Sequence, residues 1–264
     1  MIEEISEIVF NEELNEGCYL MGLQSTGITM EAKPGQFVMI QVGPGPDPLL
    51  RRPFSICGCR KEDGIFLILY KVIGRGTRII SKVGKGDCLS VIGPLGRGFI
   101  FPEGPAKPLL VSGGMGIAPL LFLSDTLKSD ETLLMAGYQS GSQIVDIQKI
   151  NHSHLKVLTA AEDGQADHHG LVTELLEDRL HESSDERIEI FACGPIPMLR
   201  KVASMTLDME GIGCQVSLES PMACGVGACQ GCAVKASSSN SDTYYSVCKD
   251  GPVFEARDLD WENL

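Results

Sequence analysis

The sequence predicts a multi-domain β and α/β protein: a small antiparallel β-barrel, then a parallel sheet with helices, then a compact cysteine-rich module. Three observations predict it. The N-terminal part holds short β-rich runs punctuated by Gly and Pro, the middle alternates apolar runs with helix-like stretches, and Cys224, Cys229, Cys232 and Cys248 crowd the C-terminal end.

Taken in order, "PGQFVMIQV", "GIFLILYKVI" and "DCLSVIGPLG" are barrel strands. From "KPLLVSGGMGIAPLLFLSDTL" the texture changes, because an apolar run ends in glycines and a helix-like stretch follows. "TLLMAGY", "HLKVLTAA" and "RIEIFACG" are further strands, and "LVTELLEDRL" and "PMLRKVASMTLDM" are helices, so a parallel sheet is the natural assembly. This reading divides the chain into residues 1–102, 103–215 and 216–264, with a Ser-rich loop at 236–242 ahead of Cys248.

Lys plus Arg number 22 against 35 Asp plus Glu, a formal net charge of −13, which is the wrong sign for nucleic acid or an anionic membrane. No apolar run approaches a membrane span, and "MIEEISEIVF" is acidic where a secretory signal would be basic. The expectation is a cytoplasmic protein whose ten cysteines are thiols or metal ligands.

The spacing Cys224-x4-Cys229-x2-Cys232-x15-Cys248 admits two metals. Four thiolates can hold zinc, but such sites usually bring two C-x2-C pairs, whereas C-x4-C-x2-C with a distant fourth cysteine is the plant-type [2Fe-2S] arrangement. Gly225, Gly227 and Gly231 would permit the tight wrapping that turns backbone N–H groups toward a negatively charged cluster. The final gap of 15 is shorter than in plant-type ferredoxins, which points to a specialised variant. Cys18, Cys57, Cys59, Cys88 and Cys214 are read as small buried hydrophobes.

"RRPFSI" at 51–56 and "LYKVIGRGT" at 69–77 offer a guanidinium, a Pro-fixed strand, a hydroxyl and a Gly-x-Gly-Thr turn, which together could hold a pyrophosphate and a flat ring; each alone is a strand edge or a plain turn. "VSGGMGIAP" at 111–119 sets Gly113, Gly114 and Gly116 between a strand and a helix, with Pro119 where a third fingerprint glycine would stand. Dinucleotide binding and a tight βα turn both fit it. "FACGPIPM" at 191–198 is a second strand end of this kind.

With these motifs in this order, the chain resembles the ferredoxin–NADP reductase superfamily over residues 1 to about 215. Through "ESPMACGVGACQGC" it further resembles the electron-transfer subunits of two-component, NAD-linked dihydroorotate dehydrogenases. The resemblance implies a Greek-key barrel holding FAD through Arg52, Pro53, Phe54, Ser55, Leu69, Tyr70 and Lys71, with Gly76 and Thr77 at its pyrophosphate. It implies a Rossmann-like domain in which Gly113, Gly114 and Gly116 face NAD, and in which Cys193, Gly194, Pro195 and Met198 lie by the nicotinamide. Cys193 and Glu219 are the implied catalytic residues, although Glu219 also reads as a strand-end carboxylate facing water.

NAD takes two electrons as a hydride and an iron–sulfur cluster passes them singly, so a flavin between them is chemically coherent. Too little chain is left for an organic-substrate site. The resemblance therefore implies a catalytic partner containing FMN, in a heterotetramer of two plus two, that oxidises dihydroorotate in de novo pyrimidine (UMP) synthesis. Other readings are an NAD(P)H-oxidising subunit of a hydrogenase or ferredoxin-linked complex, and a zinc-binding or redox-sensing regulator. NAD is favoured over NADP because "GYQSGSQIVDIQ" lacks Arg or Lys to clamp a 2′-phosphate, and Asp146 within it is read as a solvent-facing loop residue. His152, His154, His168, His169 and His181 are read as surface residues, and Met115, Met198, Met205 and Met209 as packing; Trp261 either sits in a solvated tail or anchors it to another subunit.

Overall fold

The computed structural model describes all residues except 44, 46, 103, 128–131, 151–154, 183–186 and 238–242. His152, His154 and most of the Ser-rich loop therefore lie outside the described residues.

The N-terminal strands are β1 (Ile2–Asn15), β2 (Cys18–Gln24), β3 (Phe37–Gln41), β4 (Arg52–Arg60), β5 (Ile65–Lys71) and β6 (Cys88–Leu95), with short helices α1 (Thr26–Glu31) and α2 (Arg75–Ile80) between them. They close into an antiparallel barrel in the order β1-β2-β5-β4-β3-β6. The period of two is visible in β5: Phe66, Ile68 and Tyr70 fill the barrel, while Ile65, Leu67 and Leu69 pack outward against the second domain. Burial on both faces explains why "IFLILY" shows no polar alternation.

Next come β7 (Lys107–Gly113), α3 (Ile117–Leu127), β8 (Leu133–Tyr138), β9 (Lys156–Ala161), β10 (His168–His169), α4 (Val172–Glu182), β11 (Ile188–Cys193), α5 (Ile196–Thr206) and β12 (Ile212–Ser217). The C-terminal segment adds β13 (Ala233–Lys235), β14 (Tyr244–Ser246) and β15 (Val253–Glu255). The sheet order is β10-β9-β8-β7-β11-β12-β15, parallel throughout except for β15, which runs antiparallel along β12. The order reverses direction between β7 and β11, which opens a crevice at their carboxyl ends. β13 and β14 form a separate hairpin.

Helices α4 and α5 cover one face over Leu109, Val111 and Ile190, and α3 covers the other over Leu110, Leu134 and Phe191. Residues Ile117 to Ser124 of α3 are all buried, because the helix lies between the sheet and barrel strand β4. Pro119 falls in its first turn, where a missing N–H costs no helical hydrogen bond. Phe99, just after the barrel, meets Phe191 edge-to-face at 5.5 Å, and Gln215 exchanges hydrogen bonds of 2.9 and 2.7 Å with the backbone of Ile100. The connection between barrel and sheet is thus pinned. Among the described residues no helix is long and apolar enough to cross a membrane.

Two packing expectations are corrected. Cys88 is exposed, because it is the first residue of β6 at the end of the barrel, and Met209 is also exposed beyond α5. Cys18, Cys57 and Cys214 are buried as expected and Cys59 partly so. Trp261 packs within its own chain, donating Nε1–H to the Ala256 carbonyl at 2.7 Å.

Candidate functional site

A cavity of about 750 Å³ separates barrel from sheet, and every sequence-predicted barrel residue lines it: Arg52, Pro53, Phe54 and Ser55 on β4, Leu69, Tyr70 and Lys71 on β5, Gly76 and Thr77 on α2. Tyr70 forms an apolar wall, its ring stacked on Tyr19 at 5.5 Å and met by the edge of Phe54 at 5.7 Å. Its hydroxyl donates to Asn11 Oδ1 at 3.0 Å, and burial raises its pKa. Gly76 lets the Arg52 side chain pass close over the turn, since a Cβ there would lie 2.9 Å from Arg52 Nε. Thr77 Oγ1 accepts from the N–H groups of Ile73 and Gly74 at 3.0 and 3.1 Å, which fixes the turn. Arg52 donates to the Leu50 carbonyl and, among the described residues, makes no ion pair, so its charge remains at the cavity.

The sheet supplies the opposite wall. Cys193 lies there at the end of β11, beside Ser217 of β12. Desolvation, and then the charge of Glu219, raise the Cys193 pKa against an opposing hydrogen bond to Ser217, so the thiol stays neutral. Glu219 follows β12 and lines the same cavity, solvent-accessible at its rim yet surrounded closely enough that desolvation raises its pKa. Met115, Ala118, Ser217, Leu218 and the 220–222 segment complete this wall and escaped the sequence reading, since only strand topology brings them to β4 and β5.

A second cavity, of about 570 Å³, opens at the carboxyl edge of the sheet. Gly113, Gly114, Pro195 and Met198 line it, together with Glu162 and Lys201, which sequence reasoning missed. Gly116 and Gly194 do not line it. A Cβ on Gly116 would stand 2.1 Å from the Cys193 carbonyl oxygen, and one on Gly194 2.8 Å from the Gly113 nitrogen, so both glycines serve the close approach of two backbones. The end of β11 is consequently a partition, with Cys193 toward the barrel cavity and Pro195 toward the second.

Cys224, Cys229 and Cys232 sit in one wrapped loop and Cys248 meets it from beyond the β13–β14 hairpin, and among the described residues no three His, Cys, Asp or Glu side chains are close enough to share a single metal ion. They come instead as two neighbouring pairs, Cys224 with Cys229 and Cys232 with Cys248. Backbone N–H groups point at the sulfurs: Val226 and Cys229 donate to Cys224 Sγ at 3.5 and 3.4 Å, Gly227 to Cys248 Sγ at 3.1 Å, Gly231 to Cys229 Sγ at 3.5 Å, and Cys248 to Cys232 Sγ at 3.4 Å. The amide from Val226, followed by that from Cys229, holds the Cys224 thiol down to about 6. Burial, followed by Cys232, pushes Cys248 up to about 12. Paired thiols under converging amides fit a dinuclear anionic cluster better than one tetrahedral ion. Gly225 and Gly227 have φ of +72° and +79°, but Gly231 does not need the left-handed region; Gln230 occupies it, at +57°. The loop rests on the barrel, where a Cβ on Gly225 would meet Met39 Cγ at 2.5 Å.

The remaining polar candidates are otherwise engaged. His168 Nε2 pairs with Glu174 at 2.9 Å, Asp167 accepts from Thr159, and Asp146 is exposed and outside both cavities.

Barrel, switched parallel sheet and cysteine loop together define an oxidoreductase of the ferredoxin–NADP reductase type with an added iron–sulfur module. Family models agree: an oxidoreductase NAD-binding domain matches residues 110–204, and the iron–sulfur cluster binding domain of dihydroorotate dehydrogenase B matches 219–260. The electron transfer subunit of NAD-linked dihydroorotate dehydrogenase B from Desulforamulus reducens is 37% identical over 247 residues, spanning 92% of this chain and 93% of the relative. That of Caldanaerobacter subterraneus subsp. tengcongensis is 34% identical, spanning 96% and 97%. A solved chain of the NADH-dependent reduced ferredoxin-NADP oxidoreductase superposes with TM-score 0.85 at 28% identity, covering 99% of this chain and 91% of that one. The ferredoxin reductase of carbazole 1,9a-dioxygenase shares the fold, with TM-score 0.68 at 23% identity over 81% of this chain and 68% of its own. The chain belongs to the family of dihydroorotate dehydrogenase B electron transfer subunits.

Proposed function

We propose that the chain relays electrons between a catalytic subunit and NAD, with FAD in the barrel–sheet cavity, a [2Fe-2S] cluster in the cysteine loop and NAD at the second cavity. One observation carries the reading. The segment from Ser217 to Met222 lines the barrel–sheet cavity and reaches Cys224 two residues later, so cavity and cysteine loop share a wall. Bound there, FAD supplies the exchange between a hydride carrier and a one-electron carrier.

The chain's own residues divide the work. Tyr70, Phe54 and Leu69 offer an apolar wall to a flat ring, while Arg52, Lys71 and the 74–77 turn supply positive charge and amides to a pyrophosphate. Cys193 keeps its Sγ proton and offers a neutral, polarisable contact at the partition; Glu219 stands at the rim of the same cavity, where desolvation raises its carboxyl pKa. Cys224, Cys229, Cys232 and Cys248 would hold the cluster, which would supply one-electron transfer there.

The partner is an FMN-containing dihydroorotate-oxidising subunit, two copies of each chain assemble, and the complex serves pyrimidine synthesis in the cytoplasm. The relatives' name supports the partner, and ten free thiols suit a reducing compartment. A ferredoxin-linked partner is the second reading, favoured by the 28% identical solved chain.

Anaerobic purification tests both: iron, sulfide and FAD should be near stoichiometric, and the co-purifying partner should couple dihydroorotate to NAD reduction. In Cys229→Ala the iron and sulfide should be lost and partner-linked NAD reduction should fall far more than NADH oxidation by a dye. Equal loss of both would refute a serial arrangement. A colourless, zinc-loaded protein would refute the relay altogether.

A further inference from the structure

The cysteine loop carries no charged side chain of its own: residues 220–234 contain no Asp, Glu, Lys or Arg. Lys235, just beyond them, is paired with Asp260 at 3.0 Å. Lys249, next to Cys248, is placed otherwise. Its stem lies across the loop, where a Cβ on Gly227 would stand 2.7 Å from Lys249 Cδ, 3.0 Å from its Cβ and 3.3 Å from its Cγ. Gly227 is also the residue whose N–H donates to Cys248 Sγ at 3.1 Å, so the lysine stem and the buried sulfur meet at one glycine. The backbone beneath Lys249 is fixed, since the N–H groups of Lys249 and Asp250 donate to the Ser246 carbonyl at 2.9 and 2.8 Å. Asp250, the adjacent carboxylate, is turned inward and accepts the Ser246 N–H at 2.8 Å. Among the described residues the Lys249 ammonium has no hydrogen bond or ion pair.

We propose that Lys249 supplies an unpaired positive charge that raises the reduction potential of the cluster held by Cys224, Cys229, Cys232 and Cys248. One-electron reduction adds a negative charge to a group that its thiolates already make anionic, the electron arriving from the catalytic partner and leaving to FAD, so a cation beside it favours the reduced form. The chain's net charge of −13 works against that electron, and Lys249 offsets it locally. Lysine suits the place, because its apolar stem can lie along the glycine turn while the charged head stays in water. Lys249 is exposed, so solvent screens the charge and holds the effect to about three- to tenfold in the one-electron equilibrium constant. The proposal rests on the reading of the cysteine loop as the cluster site.

The test is a dithionite titration of the flavin- and iron-loaded protein at fixed pH, followed by the electron paramagnetic resonance signal of the reduced cluster. In Lys249→Gln the potential should fall by the equivalent of about three- to tenfold in that constant, about 30–60 mV, and further in Lys249→Glu. Lys249→Arg should restore the wild-type value. Lys249→Met, equally neutral, carries the same expectation and stands in if the Gln variant loads iron poorly. Lys61→Gln is the control: it removes the same net charge, but Lys61 follows β4 at the end opposite Pro53, which pairs with Met39 beneath the loop, and the potential should stay in place. A fall of less than about threefold in the neutral variants, an equal fall in Lys61→Gln, or one in Lys249→Arg as deep as in Lys249→Gln overturns the role of Lys249 and leaves the cluster site standing. A wild-type protein that takes up no iron and sulfide, or gives no such signal when reduced, overturns the cluster assignment and the proposal with it.

Discussion

Replacing Gly116 with Ala should damage both stability and nucleotide handling, and the size of the effect follows from the strands around it. The new Cβ would lie 2.1 Å from the Cys193 carbonyl oxygen, 2.4 Å from its carbon and 2.8 Å from the Gly194 nitrogen. All three are backbone atoms, so no side-chain rotation relieves the contact. The two strand ends must separate by about 0.9 Å before the closest contact reaches 3.0 Å, the limit that real Cβ atoms respect. Neither strand can retreat freely, because β7 is held by β8 and β11 by β12. Overpacking of this kind costs about 1–3 kcal/mol, and a purely backbone clash between the β7–α3 turn and the end of β11 belongs at the upper end. At this chain length about 2–3 kcal/mol lowers Tm by about 5–10 °C. Displacement of the Gly113–Gly114 turn by nearly an ångström against Cys193 should also raise the KM for NADH, since misplacement on that scale can cost about a hundredfold in rate. The assays are thermal unfolding by circular dichroism and NADH–dye kinetics. Gly84→Ala is the control: a Cβ there meets nothing within 4 Å, and the change should stay within about 0.5 kcal/mol. Gly116→Ala melting with wild type, with an unaltered KM, would refute the close-approach argument.

Phe191→Ala should cost about 3–5 kcal/mol in urea unfolding, because it empties a buried site and removes the edge-to-face contact with Phe99; a loss under about 1 kcal/mol would show that the joint does not depend on this pair. The raised Glu219 pKa means that the folded state prefers its protonated form, so its contribution to stability is present below 4.5 and is lost as pH rises through the raised value. Glu219→Gln should therefore lose less stability than wild type between pH 5 and pH 8 by urea midpoints, and parallel pH profiles would contradict the desolvation argument. Cys88 should be alkylated readily in the native protein while Cys57, Cys193 and Cys214 resist, their thiols being buried and their pKa values raised. Peptide mass spectrometry reports the order, and early labelling of Cys57 would mean that the barrel–α3 contact opens.

What is readable in this sequence is whatever chemistry ties to neighbours along the chain. The cysteine spacing and the glycine turn after β7 depend on local wrapping, and each stands where its spacing puts it. The barrel-side lining was readable for the same reason, since β4 and β5 carry it as two continuous stretches. The sheet-side lining was not, because Ser217, Pro221 and Met222 face the cavity only through the placing of β12 beside β11. Glu162 was not legible because nothing along the chain marks it: the cavity extends past β8 to the end of β9, the next strand out. Gly231 and Gln230 show a finer limit: composition says that the loop needs left-handed residues but not which of two neighbours will bend. Cys88 shows the opposite error, an apolar-looking neighbourhood at a strand end that faces water.

The return of β15 alongside β12 has a consequence for how this protein can be taken apart or have been put together. A chain cut after Leu218 would not shed a self-contained plug; it would strip β12 of its outer neighbour and leave a row of unsatisfied amides and carbonyls ready to recruit strands from other molecules. Trimming the metal-binding end should therefore yield insoluble material rather than a lone flavoprotein. A lineage that discards the metal must keep that last strand, or find another to stand in its place.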